Sequence, residues 1–146
     1  MTHTRRTIRE AVVTALAAAG TAAGSRVYDH PTDPRTTLPA LVVTDVAESQ
    51  EAMTLPAGVN RTIERRYTLE VAAEVQQVSG YVAARDDLLA DVEAAMAALS
   101  VAGVKSVVPA GFNADQAFEG ERPISIGRQR FTVLFYTPQG NPAVFF

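Results

Sequence analysis

The chain has 146 residues, 47% hydrophobic and 20% charged, which suits one domain with its own core, is short for two, and lies far from a disordered composition. Thirteen basic against sixteen acidic side chains leave a net charge of -3, which argues against the broad cationic footprint of a dedicated nucleic-acid binder. With no cysteine there are no disulfides, thiolate metal sites or cysteine nucleophiles, and no apolar run approaches the roughly 18 residues of a membrane span, so no membrane partner is expected.

Arg5 and Arg6 ahead of the Ala-rich stretch from Ala11 to Ala23 have the outline of a secretory signal, but Glu10 interrupts it and Thr and Gly dilute it. Ile8, Val12, Ala15, Leu16 and Ala19 instead stand at helical spacing, with Thr7 and Glu10 as a capping box and Gly20 as a stop. Ser25 to Tyr28 can begin a strand, which His30, Pro31, Asp33 and Pro34 end. Leu38 to Val46 is apolar and β-branched, as a central, buried strand requires. From Ala47 to Arg61 the residues turn polar, with Pro56, Gly58 and Asn60, and predict a loop or an arm.

The clearest alternation follows, with Tyr67, Leu69, Val71, Ala73 and Val75 on one face and Thr68, Glu70, Glu74 and Gln76 on the other. A single strand from Glu64 to Val78 would span about 50 Å, longer than the roughly 40 Å diameter of a compact domain this size. It must curl, bulge or project, and with the preceding polar segment it suggests a hairpin arm. Ser79 can cap a second helix whose buried stripe is Tyr81, Leu88, Val92, Met96 and Leu99, whose outer face carries Asp86, Asp87, Asp91 and Glu93, and which Gly103 follows.

Strands are then expected at Val104 to Val108, at Phe112 to Phe118 with a turn at Gly120, and at Ile124 to Tyr136, where Phe131, Val133 and Phe135 alternate. The order predicts an α+β fold: a mixed, mainly antiparallel β-sheet with two α-helices packed on one face and a projecting β-hairpin arm. Residues 1–137 form the domain, and 138–146 a flexible extension. That tail is either a disordered end or a segment whose Val144, Phe145 and Phe146 dock on a neighbouring subunit or partner.

Catalytic chemistry finds no support. His3 and His30 fall in a terminus and a loop, with only Asp29 as a nearby carboxylate, which is poor equipment for a metal or for acid-base work. Asp86 and Asp87 point about 100° apart on a helix and cannot share a proton or an ion. Glu119 and Glu121 flank Gly120 as a charged turn rather than an acid-base pair. The run Gly20 to Ser25 lacks the lysine of a phosphate loop and follows a helix, and no serine sits in a nucleophile elbow. Neither a catalytic residue nor a cofactor or metal site is expected. Arg61, Arg65 and Arg66, with Arg128 and Arg130, form the one basic cluster. It either pairs internally with Glu51, Glu64 or Glu70, or faces an acidic partner or passing DNA.

The ordered set IREAVVTAL (8–16), RVYDHP, LPALVVTDVAESQE (38–51), RRYTLEVAAEV, the acidic helix from Asp86, GFNADQAFEGE and RFTVLFY resembles the tail terminator proteins of long-tailed bacteriophages, similar to the lambda-like minor tail protein U family. The resemblance implies a homo-hexameric ring in the virion, assembled in the host cytoplasm, that caps the head-proximal end of the tail tube. Its implied neighbours are further copies of itself, the tail tube protein, the tape-measure protein and a head-completion protein, with DNA passing through without sequence-specific binding. Candidate interface residues are Glu48, Glu51, Arg61, Arg65, Arg66, Asp86, Asp87, Asp91, Phe145 and Phe146. The alternatives are another neck component, such as a head-completion or stopper protein, and a small-molecule-binding α+β module.

Overall fold

The computed structural model describes residues 1–31, 37–53, 61–77, 79–119 and 122–146. Its elements are α1 (Thr4–Ala18), β1 (Val27–Asp29), β2 (Ala40–Ala52), β3 (Thr62–Gln76), α2 (Tyr81–Ala97), β4 (Val104–Glu119) and β5 (Arg122–Pro138). The strands form one sheet in the order β1-β2-β3-β5-β4, in which only β1 and β2 run parallel. This is the expected α+β fold, with β2 in the sheet interior as predicted.

The core lies between the helices and one face of the sheet. α1 supplies Ile8, Val12 and Leu16, and α2 supplies Leu88, Leu89, Val92 and Met96. Opposite them stand Tyr67, Leu69 and Val71 of β3 and Phe131, Val133 and Phe135 of β5, at the period of two that put them on one face. At Gly127 of β5, α2 comes so close that an added Cβ would lie 2.8 Å from Arg85 Cδ and from Leu89 Cδ1.

Several local expectations are corrected. The Thr7–Glu10 capping box does not form, because His3 caps the helix further upstream: its Nδ1 accepts from the Arg5 N–H at 3.1 Å. Glu10 instead accepts from Arg6 at 2.7 Å. Ser79 is not the cap of α2; Gly80 is, in the left-handed region (φ 70) and without a side-chain bond. The segment after Ala47 is not a loop at its start. β2 runs on to Ala52, because β3 offers ladder partners from Thr68 to Ile63 that sequence-local propensity does not register. A bulge at Val46 separates the apolar half of β2 from its polar half. The two strands expected at Val104–Val108 and Phe112–Phe118 are one strand, β4, kept in step with β5 by irregularities between Val104 and Ser106 and between Pro109 and Gly111.

The length problem of β3 has a tertiary solution. β5 runs beside it from Thr62↔Pro138 to Gln76↔Ile124, so the described part of the expected arm is one flank of a long sheet. Positions 54–60 of that arm, and the Gly120–Glu121 turn with its Glu119/Glu121 pairing, lie outside the described residues. The segment after Pro138 turns back onto its own chain. The Phe146 N–H donates to the Tyr136 carbonyl at 3.0 Å, and the Thr4 N–H donates to the Pro142 carbonyl at 3.0 Å.

Candidate interaction surfaces

Ion pairing inside the chain occupies many of the charged residues. Arg65 Nη1 donates to Glu48 Oε1 at 2.6 Å and its Nε donates to Thr137 Oγ1 at 2.8 Å, while the two side chains are only 9% and 3% exposed. Arg5 lies 3.6 Å from the second Glu48 oxygen. The partner of Arg65 is thus Glu48, not Glu51, Glu64 or Glu70: Gln50 is its register partner, and Glu48 lies two residues along β2 on the same inward side.

On the face of the sheet away from the helices, the other arginines are held in exposed or half-buried pairs. Arg66 meets Glu64 at 2.8 Å, Arg130 donates to Glu70 at 3.2 Å, and Arg128 bridges Glu70 and Asp115. Each such pair contributes about 0–1 kcal/mol, so this face is wet and locally neutralised rather than a free cationic track.

A second cluster gathers at the α1–β1–β2 corner. Arg9 Nε donates to Asp29 at 2.6 Å and Arg9 Nη1 donates to Asp45 at 3.2 Å; the Tyr67 hydroxyl also donates to Asp45. His30, with φ 67, stands 2.6 Å from Asp29 and 3.4 Å from Asp45. Burial pushes the Tyr67 hydroxyl up, and the bond to Asp45 pushes it further. For Asp45, burial works toward a higher value, but the Tyr67 bond and the charges of Arg9 and His30 outweigh it and hold the carboxyl below its usual range. The cluster is a stabilised corner. Among the described residues, no three or more His, Cys, Asp or Glu side chains are placed to hold a metal ion.

Three outward features stay unsatisfied by the chain. An open groove of about 610 Å³ runs between the helices, walled by Ala11, Ala15 and Ala18 of α1 and Ala95, Ala98 and Leu99 of α2. A second, of about 350 Å³, lies between α2 and the β4–β5 pair, lined by Asp86, Leu89, Ala90 and Glu93 of α2, Phe112 of β4 and Gln129 of β5. The third is the free edge of β4 itself, where Val108 and Phe112 are half exposed. Arg85 ties the second groove together. Its guanidinium donates to Ser125 Oγ at 3.1 Å and to Asp86 at 2.8 Å, and lies 5.4 Å from the centre of the Phe112 ring. None of these grooves converges polar groups on a reacting atom, as a catalytic pocket does.

No family model and no curated protein matches the sequence. Among solved structures, the fold is similar to that of a chain in the virion of a native gene transfer agent particle. The likeness covers 87% of this chain and 94% of that one, with a TM-score of 0.50 and 15% identity. It is a likeness of fold.

The candidate residues thus separate into three groups. Glu48 and Arg65 turn inward to each other, and Phe145 packs edge-on against Phe135 of the same chain, ring centres 5.5 Å apart. Glu51, Arg61 and Arg66 lie outward at the far end of the β2–β3 ladder. Asp86, Asp87 and Asp91 lie outward on α2, and Phe146 is exposed at the C-terminus. Sequence reasoning missed Asp45, Arg9 and Arg85. Arg85 had one available signal, its place three residues before Leu88 on the buried stripe.

Proposed function

We propose that this chain is a structural subunit of a phage-like particle, and within it a tail terminator. Copies form a ring, with six as the family's number, on the head-proximal end of the tail tube, where the ring stops polymerisation and offers the surface for head joining. The observation that supports the reading is the fold likeness to a chain of a gene transfer agent virion, which spans nearly all of both chains. It agrees with the ordered motifs that resemble tail terminators.

The chemistry of the surface fits a binding role. The charged residues pair or face solvent, the grooves are open and apolar, and the histidines serve a helix cap and a polar corner. The ring's other neighbours in this reading are the tube, the tape-measure protein and a head-completion protein, and DNA crosses its hole held by no base contact. Particles assembled without this chain are expected to carry tails of irregular length that remain unjoined to heads. Normal, joined tails would refute the reading. Binding of the purified chain to portal-side proteins in preference to tube would move it to the head side of the neck.

A further inference from the structure

β4 is an edge strand: it pairs with β5 on one side, and among the described residues no strand lies on the other. From Val108 to Gln116 every residue is exposed, and Val108 and Phe112 are half exposed although both are large and apolar. Natural edges are blunted by proline, bulges and charge. The first half of β4 has such devices, with irregularities between Val104 and Ser106 and between Pro109 and Gly111, and with Pro109 itself. They end at Gly111. From there to Gln116 the one charge is Asp115, and it is tied to Arg128.

The register of the sheet fixes which backbone groups that edge presents. The Leu41 N–H donates to the Arg26 carbonyl and the Val43 carbonyl accepts from the His30 N–H, so both residues turn toward β1. By alternation Asp45 also turns away from β3. Its partner Leu69 therefore bonds to β5 at Phe131, and Phe131 in turn leaves Pro109 without a bond from β5. Pro109 has no N–H to give, which agrees with an outward place. Past the bulge, Gly111 bonds to β5 at Arg130, and alternation turns the N–H and C=O of Phe112, Ala114 and Gln116 to the open side.

We propose that this edge pairs with the same edge of a second copy, antiparallel about a twofold axis at Ala114. Phe112 then stands opposite Gln116 of the second copy and Ala114 opposite Ala114, and the pairs exchange about six hydrogen bonds. An isologous contact needs a surface that complements itself. The outward groups are spaced evenly about Ala114, whose small side chain stands at the axis. Each Asn113 amide faces the Asp115 carboxylate of the other copy, so no like charges oppose each other. Each exposed Phe112 ring, which lines the groove with Leu89 and Ala90, gains the stem of Gln116 as a neighbour. A register centred on Phe112 would carry the pairing into the bulge at Ala110, and one centred on Gln116 would carry it past the end of β4 at Glu119. The two five-stranded sheets become continuous, with the helices of both copies on the same face. The pairing concerns the free chain and does not rest on the ring reading.

The chain contains no cysteine, so single cysteines introduced into the full chain report the register directly. Ala114→Cys should form a disulfide-linked dimer on mild oxidation, since facing Cα atoms about 5.5 Å apart lie within disulfide reach. Phe112→Cys alone should not, because the same residue of the second copy lies about 13 Å away along the strands. Phe112→Cys mixed with Gln116→Cys should link. Lys105→Cys, exposed but outside the segment, measures random collision. Ala114→Pro removes only an N–H that points outward, so the subunit should melt close to wild type while sedimentation shows the dimer weakened at least tenfold. Linking at Ala114→Cys no faster than at Lys105→Cys overturns the pairing, as does a wild-type chain that stays monomeric at every concentration. Weaker association of Ala114→Pro without linking at Ala114→Cys overturns it too, and gives the edge to a different strand. None of these outcomes bears on the tail-length phenotype, which tests the ring reading.

Discussion

Glu48 and Arg65 show how an ion pair can be costly to halve and cheap to replace. Both side chains are nearly out of contact with water and lie 2.6 Å apart. Removing one partner strands the other charge, so Glu48→Ala or Arg65→Ala should each cost about 3–5 kcal/mol in urea unfolding, while Glu48→Leu with Arg65→Met should recover most of the loss. His3 sets a different dependence. It caps α1 with an unprotonated Nδ1, and burial, then the nearby Arg5 charge, pull its pKa below the ordinary 6.5 despite Glu48. The unfolded chain therefore takes up the proton first: the cap's contribution is full above about pH 6.5 and is lost as pH falls through the lowered folded value. His3→Asn, which caps without titrating, should flatten that part of the stability–pH curve. An unchanged curve would remove His3 from the account. Asp45, also lowered, adds a second loss further into acid, below the ordinary carboxylate range.

Between elements, two close approaches are made at glycines. Gly127 lets α2 lie on β5 with Arg85 and Leu89 where a Cβ would stand, so Gly127→Ala should force them aside at a cost of about 1–3 kcal/mol. It should also disturb the Arg85 bond to Ser125, with loss of thermal stability as the readout. Gly103 carries φ +89, and an added Cβ would lie 2.4 Å from Phe145 Cβ, so the end of the chain packs against the loop that follows α2. Removing residues 138–146 should therefore lower the unfolding free energy measured in urea, and Phe145→Ala, at a partly buried site, should lower it by less than the about 3–5 kcal/mol of a fully buried phenylalanine. Loss of assembly with unchanged stability would instead mean that the tail works on a neighbour.

For the molecule as a whole, exposed charges such as Asp87, Asp91, Arg61 and Lys105 have no ionic partner among the described residues while the core cluster is apolar, so salt should act unequally on the two levels of structure. Self-association through exposed carboxylates and guanidinium groups should weaken as the Debye length falls from about 10 Å at 0.1 M to about 3 Å at 1 M salt. Unfolding of the subunit should change little. Light scattering across a salt series, run beside thermal melts, separates the two. Assembly that strengthens with salt would instead point to an apolar contact, such as the alanine-walled helix groove, where apolar burial gains from a salting-out solvent.

What was legible in the sequence was what repeats at the period of a single element. The stripe Ile8–Val12–Leu16 and the alternations through Tyr67 to Val75 and Phe131 to Phe135 each report which side of an element is buried, and they place both helices against one sheet. The order of the elements carried the class, α+β. What only the tertiary structure decided was everything that depends on a partner distant in sequence. β2 continues through polar residues because β3 lies alongside, β4 stays one strand because its bulges keep step with β5, and α1 begins at Thr4, capped by His3, beside the returning C-terminal segment. The same holds for charge. Glu48 and Arg65 look like surface residues in sequence, since nothing local says that they will be buried together, whereas Arg61 and Asp91 look the same and are exposed with no ionic partner among the described residues. Pairing is a property of three-dimensional proximity, and a one-dimensional pattern does not contain it.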